Sequence, residues 1–87
     1  MSLAEKLQGL PEYQCHKIVK GSKIVDMEIH KTGGATVKLK DLEEPVTLMA
    51  DFVLRYKPVV GAYIVLYEDG YVSVSPTDAF ESGYTRR

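Results

Sequence analysis

Residues 61–84 run without interruption as strand, tight turn, strand and capped helix, and no other part of the chain restricts its fold so closely. Within Gly61-Ala-Tyr-Ile-Val-Leu-Tyr-Glu-Asp-Gly-Tyr-Val-Ser-Val-Ser-Pro76 the pair Asp69-Gly70 predicts a two-residue hairpin loop, because both residues tolerate the positive φ angles of a type I′ turn. Glu68 then faces Tyr71, Tyr67 meets Val72 and Val65 meets Val74 on one side, while Leu66 meets Ser73 and Ile64 meets Ser75 on the other. The first side, with Tyr63, Val65, Tyr67, Val72 and Val74, is the expected core face. The second carries Ala62, Ile64, Leu66, Tyr71, Ser73 and Ser75, and its first strand is too apolar to be left to water. Either a helix of this chain or a partner must cover it.

A helix follows directly. Ser75 is the expected N-cap, Pro76 occupies the first helical position where a missing N–H costs nothing, and Asp78 suits the positive helix end. Gly83 is expected to close the helix in the left-handed conformation, with Phe80 and Tyr84 packing back on the sheet.

Period-2 alternation dominates the first half. Val25, Met27 and Ile29 alternate with Asp26, Glu28 and His30; Thr32-Gly33-Gly34 turns the chain; and Ala35, Val37 and Leu39 alternate with Thr36, Lys38 and Lys40, which makes a second hairpin. His16 to Lys20 is a further strand candidate, with Gly21 as a bulge or bend, and Val46 to Leu48 adds a short strand after Pro45. The period then changes. Met49, Phe52, Val53 and Tyr56 share one helical face, and Lys57-Pro58 ends that helix. At the start of the chain Ser2 and Glu5 form a capping box ahead of Leu3, Leu7 and Leu10, and Gly9 with Pro11 stops the run. This segment either covers the second face of the C-terminal hairpin or stays loosely attached.

With 87 residues, 45% of them hydrophobic and 26% charged, the sequence fits one globular domain over residues 1–87, with a compact core at 13–84. No apolar run approaches the roughly 18 residues that span a bilayer. A single cysteine, which cannot form an internal disulfide, and the lack of a secretory pattern point to a reducing cytoplasm. Charge is uneven along the chain: residues 13–40 carry six lysines against two acids, a balance of +4, whereas residues 41–84 carry eight acids against Arg55 and Lys57, a balance of −6. The lysines fall opposite the apolar positions of the strands, so they are read as solvent-facing.

The chemical inventory is thin. Cys15 and His16 are neighbours on a strand and point to opposite faces, which disfavours both a shared metal ion and a thiol–imidazole pair. Glu43-Glu44 and Glu68-Asp69 lie in loops where solvent keeps them ionised. Gly33-Gly34 lacks the frame of a phosphate-binding loop. A stacking platform for nucleic acid needs lysines and aromatic rings in one groove, and here the aromatics lie chiefly in the acidic half and the lysines in the other. No catalytic residue, metal site or cofactor is assigned.

The segment from Lys57 to Tyr84, with Lys57-Pro58, Gly61, Tyr63, Val65, Tyr67, Asp69-Gly70-Tyr71, Ser73, Ser75-Pro76, Phe80 and Tyr84, resembles the C-terminal ends of short, functionally uncharacterised proteins of tailed bacteriophages and prophages. A looser likeness covers Tyr13 to Lys20 as the opening strand. The resemblance implies a phage or prophage source and a shared small fold, and it brings no catalytic residue or ligand with it.

The sequence therefore predicts an α+β domain with an antiparallel sheet of about four or five strands. A short helix from Met49 to Tyr56 precedes the last hairpin, a closing helix runs from Pro76 to Ser82, and an N-terminal helix opens the chain. The expected function is that of a non-enzymatic phage accessory protein acting through protein–protein interaction, with a virion or host protein or with its own copies as a homo-oligomer. The alternative is a nucleic-acid or nucleotide binder. Ile64, Leu66 and Tyr71 are the contact candidates, against the competing reading that the N-terminal leucines or the Met49 helix cover them within the chain.

Overall fold

The computed structural model describes residues 2–14 and 18–86. The fold is α+β. Helix α1 (Leu3–Lys6) runs through a 3₁₀ turn at Leu7–Gly9 into strands β1 (Glu12–Gln14), β2 (Ile18–Ile29), β3 (Ala35–Leu39) and β4 (Val46–Leu48). Helix α2 (Ala50–Tyr56), the hairpin β5 (Tyr63–Leu66) and β6 (Val72–Ser75), helix α3 (Thr77–Gly83) and the short strand β7 (Thr85–Arg86) follow. Every strand pair is antiparallel. The expected strands are present, and β1 and β7 extend the sheet beyond them by pairing Tyr13 with Arg86 and Gln14 with Thr85. The strand candidate at His16 and Lys17, like Cys15, lies outside the described residues.

Strand β2 is the spine. Gly21 donates its N–H to Pro11 (3.0 Å) and the carbonyl of Lys23 accepts from Lys40 (2.9 Å), whereas Ile24 donates to Ala62 and accepts from Gly61, both at 2.8 Å. Alternate residues thus address opposite edges, with β1 and β3 end to end along one and β5 along the other. No bend occurs at Gly21, where pairing with Val65 is in register. A Cβ there would lie 3.2 Å from the Ile64 carbonyl oxygen and 3.2 Å from the Phe80 ring, so glycine serves close approach instead. The irregularity is a bulge at Val25, between the pairs Ile24–Leu39 and Asp26–Lys38, and the Asp26 carboxylate accepts the N–H of Met27 (2.9 Å). The extra residue puts Ile24 and Met27 on one face and leaves Val25 46% exposed; of the three residues predicted to alternate inward, Met27 packs on the core, while Val25 and Ile29 are exposed.

Both hairpins use the same three-residue loop. In the first, His30 donates to Gly34 (2.8 Å) and Gly33, at φ +94°, donates to His30 (3.0 Å). In the second, Tyr67 donates to Tyr71 (2.8 Å) and Gly70, at φ +89°, donates to Tyr67 (3.0 Å). This is a turn followed by a left-handed bulge residue, not the expected two-residue loop. The register therefore shifts by one: Leu66 pairs with Val72, Val65 with Ser73, Ile64 with Val74 and Tyr63 with Ser75. Every β6 side chain changes face relative to the expectation.

The shift resolves the problem of a hairpin apolar on both sides. All four residues of β5 are buried. On one side Ile64 and Leu66 join Leu7, Leu10, Ile24, Val37, Leu39, Val46 and Leu48, with Val72 and Val74 packed against them. On the other, Tyr63 and Val65 join Val19 and Phe80, with Tyr13, Tyr67 and Tyr84 alongside. The N-terminal segment supplies the first cover: Ser2 accepts the Glu5 N–H (3.2 Å), Glu5 accepts the Ser2 N–H (3.1 Å), and this capping box aims Leu7 and Leu10 into the core. Ser22, the buried polar side chain of the core, donates to the Asp41 carboxylate (2.9 Å) and accepts the Asp41 N–H (3.0 Å).

Helix α3 supplies the second cover. It starts one residue later than predicted, because Ser75 is still paired in β6 and Pro76 takes the N-cap position, while the Thr77 hydroxyl donates to the Gly61 carbonyl. Gly83 does not take the left-handed conformation. The helix runs through it, and Tyr84, extended at φ −127°, leads into β7 because pairing with β1 draws the chain straight. Helix α2 ends as predicted, with Lys57 left-handed at φ 48° before Pro58.

Candidate interaction surface

Of the three contact candidates, two are core residues. Ile64 is fully buried and Leu66 is 3% exposed, both beneath the N-terminal leucines, which corrects their expected place on a contact surface. Tyr71 is different. It follows the hairpin loop and is 47% exposed.

A row of rings extends from it. Tyr67 and Tyr71 close the hairpin as a backbone pair, so their side chains leave on one face, with ring centroids 5.8 Å apart and planes tilted by 40°. Tyr56 meets Tyr71 edge-on at 6.5 Å, and their hydroxyls are hydrogen-bonded. Phe52, one helical turn before Tyr56, continues the row at 4.7 Å. The bond with Tyr71 pushes the Tyr56 phenol above its ordinary pKa. The Arg55 guanidinium lies 5.5 Å from the Tyr56 ring. At the hairpin end, Ile18, Tyr67, Glu68, Asp69 and Tyr71 line an open hollow of about 420 Å³. Asp69 accepts the Tyr71 N–H with one carboxylate oxygen (3.0 Å), which fixes the loop. Individual tyrosines at 56, 67 and 71 are visible in the sequence, but their meeting depends on how α2 packs against the hairpin.

Helix α2 and the connection after it add exposed apolar side chains: Met49, Leu54, Val59 and Val60 are each more than half exposed. Met49, placed by its spacing on one helical face with Phe52, Val53 and Tyr56, stands at the N-cap ahead of the helix.

The second aromatic group is structural. Phe80 stacks on Tyr63 (4.2 Å) and on Tyr84 (4.7 Å), and Tyr13 meets it edge-on (4.7 Å). Tyr63 donates to the Glu81 carboxylate (2.8 Å), Lys23 pairs with the same carboxylate (3.2 Å), and the Lys23 ammonium lies 5.6 Å from the Tyr63 ring. Burial, followed by the bond to Glu81, pushes the Tyr63 phenol up to about 12. The Tyr63 hydroxyl and then Lys23 hold the Glu81 carboxyl below its ordinary range.

Among the described residues no three His, Cys, Asp or Glu side chains come together as a metal site, and no helix is long and apolar enough to cross a membrane. His30 Nε2 lies 2.8 Å from the Thr36 hydroxyl. Several lysines are held within the molecule: Lys20 on the carbonyl and side chain of Gln8, Lys38 on the carbonyls of Leu42 and Glu43, and Lys23 on Glu81.

No protein-family model matches the sequence, and no curated protein matches it. Among solved structures, the fold is similar to that of the monomeric form of the phage L decoration protein, determined by NMR in solution. The TM-score is 0.71 at 24% sequence identity, and the match covers 90% of this chain. The chain spans about 60% of the length of that protein.

Proposed function

We propose that the chain is a phage accessory protein of the decoration type, which binds a protein surface of the virion and performs no catalysis. The observation that carries this reading is the shared fold, which extends over 90% of this chain. The resemblance of residues 57–84 to phage proteins supports the same source. The tyrosine row, partly buried at Tyr56 and Tyr67 and exposed at Tyr71, and the exposed apolar side chains around α2 supply the kind of surface through which such a protein would bind, since tyrosine offers large contact area with little conformational entropy to lose. Of the three contact candidates only Tyr71 belongs to that surface, because Ile64 and Leu66 are occupied in the core.

Co-sedimentation tests the reading. Labelled chain is mixed with purified heads, tails and complete particles of the phage whose genome encodes it. Saturable pelleting with heads or particles is expected. A chain that stays in the supernatant with all three overturns the proposal, and a salt-sensitive mobility shift with short DNA or RNA would favour nucleic-acid binding in its place.

A further inference from the structure

The hollow at the tip of the β5–β6 hairpin brings two phenol rings and two carboxylates together, the components of a site for an organic cation. The chain builds a complete example elsewhere, where the Lys23 ammonium lies 5.6 Å from the Tyr63 ring and 3.2 Å from the Glu81 carboxylate. At the hairpin tip the phenol rings are Tyr67 and Tyr71 and the carboxylates are Glu68 and Asp69, but no described cation pairs with either acid. Ile18 completes the lining, and no basic side chain of the described residues contributes to it.

We infer that this hollow receives an arginine side chain presented by a partner protein, with its guanidinium against the Tyr67 and Tyr71 rings and its N–H groups on Glu68 and Asp69. Charge complementarity selects the occupant: among the described residues no cation pairs with Glu68 or Asp69, and none of those that line the aromatic hollow is basic. Arginine fits better than lysine because its flat guanidinium stacks on a ring and offers paired donors to a carboxylate at the same time. The volume of about 420 Å³ accommodates the whole side chain. The surroundings are fixed in advance, Tyr71 by its bond to Tyr56 and the loop by the Asp69 bond to the Tyr71 N–H, so little ordering is left to occur on binding. The inference rests on the protein-binding reading above and names what the bound surface must offer.

Its test needs no phage particle. The isotope-labelled chain is titrated with Nα-acetyl-arginine N-methylamide and followed by amide chemical shifts. Saturable shifts confined to Ile18 and residues 67–71 are expected, with none from the citrulline analogue, which has the same outline and no charge. The double substitution Glu68→Gln with Asp69→Asn retains the acceptor for the Tyr71 N–H and should weaken binding about fivefold or more. Shifts spread equally over Asp51 and Asp78, an equal response to citrulline, or unchanged affinity in the double variant overturns the assignment. Dimerisation that the same double substitution abolishes would place a second copy in the hollow and also overturn it. If the wild-type chain binds particles while the arginine titration is silent, this inference falls and the proposed function stands. Localised titration without particle binding gives the reverse.

Discussion

Tyr67 donates its backbone N–H to the carbonyl of Tyr71 at 2.8 Å, and that pairing decides which face of β6 meets which core. A two-residue loop would have joined Glu68 to Tyr71 and turned Val72 and Val74 away from Ile64 and Leu66. With the three-residue loop, valine meets isoleucine and leucine across one face, while the serines lie opposite Tyr63 and Val65.

Gly70 makes that loop possible. At φ +89° a β-branched residue is strained, so Gly70→Val should cost roughly 1 kcal/mol or more and lower the melting temperature by about 4–8 °C per kcal/mol for a domain of this size. A thermal melt followed by circular dichroism checks this, and an unchanged midpoint would remove the left-handed loop position.

Phe80 is the largest fully buried side chain and the centre of the second core. Phe80→Ala should cost about 3–5 kcal/mol. That equals what a core this small supplies in total, so the variant is expected to lack a cooperative melt. Cooperative unfolding at a near-native midpoint would show that α3 is an appendage.

Gly83 gives a prediction of the opposite sign. It is helical, its φ is not positive, and a Cβ there would meet nothing within 4 Å. Gly83→Ala should therefore stabilise the chain by about 0.5–1 kcal/mol through helix propensity and reduced freedom of the unfolded chain. A loss of stability in chemical denaturation would instead point to a left-handed helix end.

Glu81 links stability to pH. The Tyr63 hydroxyl and then Lys23 hold its carboxyl low, so the unfolded chain takes up the proton more readily than the folded one. Its contribution is complete above the unfolded-state value, about 4.3–4.5, and is lost as pH falls through the lower folded-state value. Tyr63 behaves in the mirror sense: its raised value of about 12 means that its contribution holds below pH about 10 and is lost as pH rises towards 12. The melting temperatures of wild type and Glu81→Gln should converge on acidification from pH 7 to about 3. A constant difference would exclude the Glu81 carboxylate as a source of acid sensitivity.

What the sequence discloses here is what local chemistry decides. The Ser2–Glu5 capping box, the helix before Lys57-Pro58, and the turns at Gly33 and Gly70 all depend on residues a few positions apart. The loop length at Asp69-Gly70 does not, since either loop uses the glycine, and the choice rests on whether Val72 or Ser73 meets Leu66. The bulge at Val25 is equally non-local, because it reconciles Ile24 with Leu39 and Met27 with Val37. For the contact candidates, the sequence shows that Ile64 and Leu66 need cover but not that Leu7 and Leu10 provide it. The tyrosine row joins residues from three segments, and its members show no common pattern along the chain.

Strand β5 is buried on both sides, and its four residues divide between two cores. A fluctuation that lifts α3 off Tyr63 and Val65 strips one side of the strand, and one that lifts the N-terminal leucines strips the other, but the backbone bonds of β5 to β2 survive either event alone. The amides of β5 should therefore exchange with solvent only when the whole molecule opens, which makes this strand the place where a local measurement reports global stability.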